Sequence, residues 1–268
     1  MALLIATRHN HPEIVELLLS RPETDVNLQD KAGWTALMKA SFEGYTEIVK
    51  SLLSKPESSA GQRLDINIQS ENGRTALMRA SWEGYIEIVK LLISRPELDV
   101  NLQNEAGCTA LMGASWFGYT KIVKLLLSRS ESIYTSMSET LTRSASPRLD
   151  VNLQDRDGDS ALIRASYCGY AEIVELLLSR PEIDVNLQNR YGNSALIEAS
   201  RQGCTKVVKL LLSRSESIYT SMSETLTRSA SPRLDVNLQD KDGRTALMWA
   251  SWKGLTEIVS LLENHRQI

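Results

Sequence analysis

Apolar residues in this chain recur in a fixed cassette. A short helix is written as Ala-Leu-x-x-Ala, as in Ala36, Leu37 and Ala40. A second helix carries an i, i+1, i+4, i+5 stripe, as in Ile48, Val49, Leu52 and Leu53, which turns one face toward a core. Thr35 precedes the first helix as an N-cap whose hydroxyl accepts from an unpaired N–H of the first turn. Gly44 ends that helix as a C′ residue. Lys55-Pro56 stops the second helix, because a proline cannot continue it. An extended Asp-Ile/Val-Asn-Ile/Leu-Gln segment leads into a turn such as Asp30-Lys31-Ala32-Gly33, with Gly placed where a positive φ is required. In the first cassette Asn10 takes the place of the stop Gly, since Asn tolerates the left-handed conformation.

The cassette is a repeat. Its Thr/Ser-Ala-Leu string starts at Thr35, Thr75, Thr109, Ser160, Ser194 and Thr245, with spacings of 40, 34, 51, 34 and 51. Against a period of 34 these spacings contain insertions of 6, 0, 17, 0 and 17 residues. Ala2-Leu3 opens a partial copy, making seven units. Residues Val123–Asp155 and Val208–Asp240 are identical over 33 positions at an offset of 85, which reads as a tandem duplication. The helix pairs are expected near 2–20, 35–54, 75–94, 109–128, 160–179, 194–213 and 245–262, in one repeat domain spanning 1–268. One unit offers too few apolar side chains to offset the entropy of ordering its backbone, so units must stack.

Period, layout and motif resemble the ankyrin-repeat family. The motif stands here as Asp30, Gly33-Trp34-Thr35-Ala36-Leu37-Met38, Ala40-Ser41, Gly44-Tyr45, Ile48-Val49 and Leu52-Leu53. Ala replaces the family's Pro, Met or Ile replaces its first His (Met38, Met78, Met112, Ile163, Ile197, Met248), and Tyr replaces the second in Gly-Tyr. A Thr–His link is thereby traded for an apolar contact. The resemblance implies an all-α, helix-turn-helix repeat solenoid with short β-hairpin-like turns. It also implies a concave surface of turn tips and first helices that binds proteins, with no common catalytic residues.

Composition narrows the partner. The 268 residues hold a formal charge of -3, 42% hydrophobic and 24% charged residues, so the chain gives no general attraction to nucleic acid or anionic membrane. No apolar run reaches the roughly 18–20 residues of a membrane span. Cys108, Cys168 and Cys204 have no CxxC spacing, which speaks against a zinc site or a disulfide scaffold and toward an intracellular compartment, cytoplasmic or nuclear. His9, His11 and His265 stand at the two ends, and no nucleophile–His–acid set, phosphate loop or dinucleotide fingerprint occurs, so neither enzyme chemistry nor a cofactor is expected.

Aromatics are 6%, with 2 Phe and 5 Trp, and these rings all fall at positions the motif leaves variable. Trp34 follows a turn Gly, Trp249 sits mid-helix, and Phe42, Trp82, Trp116, Phe117, Tyr167 and Trp252 precede the helix-ending Gly, while Tyr191 is at a turn tip. One reading makes them an aromatic stripe that anchors a protein partner, since Trp and Tyr dominate interface hot spots. The other makes them inherited residues lying on a neighbouring unit. Interleaved polar residues, among them Arg79, Arg164, Arg201 and Arg244 against Asp159 and Glu198, are mixed in sign and lack the basic excess a single-stranded nucleic acid requires.

The Ser/Thr-rich insertions at 130–148 and 215–233 contain Ile133, Met137 and Leu141 at four-residue spacing, the mark of a short amphipathic helix. They also contain Arg143-Ser-Ala-Ser146-Pro147 and its twin ending Ser231-Pro232, candidate phosphorylation sites where a phosphate would gate a partner. The chain starts inside a unit, with Leu4 and Ile5 at normally variable places. That leaves two function classes: a monomeric adaptor or scaffold binding a protein on the concave face, or a structural or regulatory fragment whose activity lies outside this chain.

Overall fold

The computed structural model describes residues 1–55, 63–136, 147–221 and 233–265, with backbone alone for 130–136 and 215–221. The helices pair as α1 (Ala2–Arg8) with α2 (Pro12–Leu19), α3 (Ala36–Glu43) with α4 (Thr46–Ser54), and α5 (Ala76–Glu83) with α6 (Ile86–Ile93). They continue as α7 (Ala110–Trp116) with α8 (Thr120–Ser136), and α9 (Ala161–Cys168) with α10 (Ala171–Leu178). The last pairs are α11 (Ala195–Gln202) with α12 (Thr205–Ser221), and α13 (Ala246–Trp252) with α14 (Thr256–His265). This is the expected all-α helix-turn-helix repeat.

Local signals hold at atomic detail. Thr35 Oγ1 accepts from the N–H of Met38 at 3.2 Å, and Thr75, Ser160, Ser194 and Thr245 cap their helices the same way. Gly44 adopts φ 78°, and Asn10, the one non-glycine with positive φ among the described residues, adopts φ 52°. The turns are hairpin-like: Gly33 N–H donates to Asp30 C=O at 2.9 Å and Asp30 N–H to Trp34 C=O at 3.0 Å. Their tips lie against the next repeat, so a Cβ on Gly33 would stand 2.6 Å from the Glu71 nitrogen.

Chain packing forms two compact units, Met1–Ala114 with Lys124–Leu149, and Ser115–Val123 with Asp150–Ile268. In the first, α1 packs on α3 and α3 on α5, while α2 packs on α4 and α4 on α6. In the second, α9 packs on α11 and α11 on α13, while α10 packs on α12 and α12 on α14. Leu37, Ile48, Leu52, Leu77, Ile88 and Leu92 fill the first core, and Leu162, Ile173, Leu177, Leu196 and Leu211 the second. The positions that replace the family's His are buried at Met38, Met78, Met112, Ile163 and Ile197, as an apolar contact requires; Met248, in the last repeat, is exposed.

Polar rails tie successive repeats together within each unit. Asn67 Nδ2 donates to Glu97 C=O at 2.8 Å and its Oδ1 accepts from Asp99 N–H at 2.8 Å. Asn27, Asn152 and Asn186 repeat the pair of bonds. Gln69 Nε2 bridges Gly73 C=O and Gln103 C=O at 2.7 and 2.9 Å. The recurring Asn and Gln of the extended segment are thus inter-repeat fasteners, satisfying backbone groups that would otherwise be lost to the stack.

The insertions correct one expectation. The second helices of those repeats do not stop near 128 and 213; α8 runs to Ser136 and α12 to Ser221. Ser130 and Ser215 occupy the place that Pro22, Pro96 and Pro181 hold elsewhere, so the block to helix continuation is missing. Arg129 and Arg214, just before, donate from Nη2 to the carbonyls of Arg95 and Arg180 at 2.9 and 3.2 Å. Met137, Leu141 and the candidate phosphorylation sites Ser146 and Ser231 lie outside the described residues.

Candidate functional site

Each repeat from the second on presents three variable positions in one register: the residue after the turn Gly, the residue five further on, and the residue eight further on. They are Trp34, Lys39 and Phe42; Arg74, Arg79 and Trp82; Cys108, Gly113 and Trp116; Asp159, Arg164 and Tyr167; Asn193, Glu198 and Arg201; Arg244, Trp249 and Trp252. The first lies on the turn and the other two on successive turns of the first helix, so the triplet shares one face.

In the first unit the rings are covered by the chain's own cations. Trp34 and Phe42 meet edge to face with centroids 5.4 Å apart. The Arg79 guanidinium lies 3.9 Å from the Trp34 centroid and 5.5 Å from that of Phe42, and Lys39 Nζ lies 5.0 Å from Trp34 while pairing with Asp30 at 2.8 Å. Burial, with Arg74 beside it, lowers the Arg79 pKa to about 10. Arg74 covers Trp82 at 4.5 Å, and the Trp82 indole also fills the space above Gly113. Trp34, Phe42 and Trp82 are thus half-buried, with the chain's own cations over them.

The second unit differs. Trp116, Phe117, Tyr167, Tyr191 and Trp252 are exposed at 39, 45, 40, 53 and 77%. Trp116 and Tyr167 stack with centroids 5.7 Å apart and planes at 11°. Trp249 departs from the expectation: it is 9% exposed, because its indole N–H donates to Asp240 Oδ2 at 2.8 Å and Arg244 lies 4.3 Å above its ring. Trp116, Tyr167, Tyr191 and Trp249 border a groove of about 390 Å³ that Asp159, Asn193 and Glu198 also line.

The groove's charges are built from the turns upward. Asp155 accepts the N–H groups of Asp157 and Asp159 at 2.9 Å each, and its other oxygen pairs with Arg164. Asn189 accepts the N–H groups of Tyr191 and Asn193 at 3.0 Å each and donates from Nδ2 to Asp159 Oδ1 at 2.8 Å. Asn193 Nδ2 donates to Glu198 Oε1 at 2.8 Å, and Arg201 Nη2 to Glu198 Oε2 at 2.8 Å. Burial above all, then the neighbouring carboxylates of Asp155 and Glu198, hold the Asp159 carboxyl above its usual range, against Asn189 and Arg164, which pull it down. Asn189 and Asn193 carried no warning in the residue pattern; their only signal was their register beside the turn Gly. Among the described residues no group of His, Cys, Asp and Glu could hold a metal ion, and no helix is long and apolar enough to cross a membrane.

Fold and register together define a repeat protein of the ankyrin class. A family model described as "Ankyrin repeats (3 copies)" matches residues 3–104, 59–137 and 134–223, and one described as "Ankyrin repeat" matches residues 242–266. The chain belongs to the ankyrin-repeat family, whose members are generally protein–protein interaction modules on a typically non-catalytic fold. No curated protein matches it. Among solved structures, the ankyrin repeat domain of Bcl-3, a member of the IkappaB protein family, aligns with a TM-score of 0.70 at 22% identity over 98% of both chains. The ankyrin repeat protein EF0377 aligns with a TM-score of 0.57 at 25% identity over 98% of this chain and 96% of that one.

Proposed function

We propose that this chain is a non-catalytic adaptor or scaffold module that holds a segment of a protein partner on the triplet face of its second unit, the face that lines the concave side in ankyrin stacks. The observation that carries this reading is the exposure of Trp116, Tyr167 and Trp252 at triplet positions of one unit, with Tyr191 lining the same groove as the first two, while the triplet rings of the first unit are covered. Large aromatics bury much area with few rotors and so make efficient anchors. Three cysteines outside any disulfide and a near-neutral charge fit an intracellular monomer that is not drawn to nucleic acid.

Affinity capture with the wild-type chain and with the double variant Trp116→Ala, Tyr167→Ala tests it. A partner that binds saturably to the wild type and is lost from a variant with unchanged helicity supports the reading. Retention of every partner by that variant overturns it, and a matching loss on Trp34→Ala would move the binding face away from the second unit.

A further inference from the structure

Resting on that reading, we propose that the groove of the second unit receives a basic side chain, lysine or arginine, from the partner segment. The argument starts at Asn193. Its Nδ2 faces Glu198 Oε1 at 2.8 Å, and since a carboxylate only accepts, the orientation of the amide is forced. The amide oxygen Oδ1 is therefore the other atom, and it is buried without a hydrogen-bond partner in a side chain only 6% exposed. An orphaned buried acceptor is costly and calls for a donor.

Asp159 stands beside it. Asn189 joins the two, giving its Nδ2 hydrogen to Asp159 and taking the N–H of Asn193. The groove's guanidinium groups are engaged by other acids: Arg164 by Asp155, Arg201 by Glu198, and Arg244 by Asp240. Among the described residues Asp159 has no ion-pair partner of its own, and it lines the same groove as Asn193, whose amide oxygen is buried just beneath it. Lys241 also lines the groove, and among the described residues it forms no ion pair with Asp159, so what Asp159 and Asn193 lack is a charged N–H donor that reaches both. An anion would meet Asp159 and Glu198, and a neutral amide would leave the carboxylate uncompensated. A lysine or arginine satisfies both needs, laying its methylene stem along Trp116, Tyr167 and Tyr191 and its head on Asp159 and Asn193. The raised proton affinity of Asp159 is the cost of holding this carboxylate ready, a cost that an incoming cation offsets.

The probe is a blocked pentapeptide, Gly-Ser-Lys-Ser-Gly, with arginine and norleucine versions, titrated into the 15N-labelled full chain by NMR. One side chain is expected to bind in roughly the millimolar range. The side-chain amide signals of Asn189 and Asn193 should shift with the lysine or the arginine peptide and not with norleucine. The ratio of the two responses tells ammonium from guanidinium. Asp159→Asn, which keeps shape and the acceptor for Asn189, should weaken the response by about tenfold or more, the loss expected for a hydrogen bond to a charged group. Equal shifts with norleucine, no shift with any peptide, or an undiminished response in Asp159→Asn overturns the proposal. If Trp116→Ala, Tyr167→Ala still abolishes partner capture after such a result, the binding face survives and the cation pocket alone is removed.

Discussion

The indole N–H of Trp249 donates to Oδ2 of Asp240, nine residues earlier in the same repeat, at 2.8 Å. The same nine-residue span joins Lys39 to Asp30 at 2.8 Å and Arg164 to Asp155. Lysine, arginine and tryptophan look unrelated at this position, yet each brings an N–H to a turn aspartate whose other oxygen already closes the turn. Where the turn residue is Ser70, Asn104 or Asn189, the partner position holds Arg79, Gly113 or Glu198, none of them matched to a carboxylate.

Trp249→Phe keeps most of the ring and removes the donor. It should destabilise the fold by about 1.5–3 kcal/mol, the worth of a hydrogen bond to a charged group. Burial is the largest single influence on Asp240 and raises its pKa, but the bonds from Arg244 and Trp249 together outweigh it and the net shift is downward. A lowered folded pKa means stability that is present above the unfolded value and lost as pH falls through the folded one. The gap between variant and wild type, read by urea melts, should therefore narrow below about pH 4.

Gly113→Ala should lower stability by about 1–3 kcal/mol, although alanine is the better helix former by about 1 kcal/mol. A Cβ there would overlap the Trp82 indole. In a Trp82→Ala background the same change should turn neutral or stabilising. A double-mutant cycle by denaturant melts measures the coupling, and independent, additive effects would contradict this packing.

Ser130→Pro should end α8 near the place where α6 and α10 end, removing roughly two turns of helix. Hydrogen exchange should show the amides of residues 131–136 losing protection, with far-UV ellipticity falling in proportion. Protection that persists through 136 would mean that something other than the missing proline sustains the helix.

Asp159→Asn should make the protein more stable at neutral pH. The folded pKa of Asp159 is raised, so the native state holds the proton more tightly than the unfolded chain. Wild-type stability then rises as pH falls through the raised value, and the gain is complete below the unfolded value of about 3.9. The advantage of the variant should disappear over that window in thermal melts; an advantage independent of pH would place its cause elsewhere.

Much of the fold was legible because its signals are local. A threonine oxygen reaches an N–H three residues on, and a glycine or Asn10 reverses the chain within one turn, so Thr35, Gly44 and Asn10 could be read directly. The extension of α8 was legible too, in the serine that replaces a proline, but the neighbouring repeats drew the boundary too early. The site was less so. All the rings were found, but Trp34 and Phe42 look like anchors until Arg79, some 40 positions away, is seen to lie on them. Asn193 became a candidate only when its amide was found oriented by Glu198 and its oxygen left over.

By itself the sequence determined the repeat, the helix pairs, the caps and the positions free to vary, because capping, turn formation and apolar periodicity act over a few residues. Only the tertiary structure decided which variable positions are open: it buried Trp249 and covered Trp34, and it left Trp116, Tyr167 and Tyr191 facing solvent. Exposure and charge pairing depend on what the next repeat places alongside, and in a stacked fold that neighbour lies one whole period away in the chain.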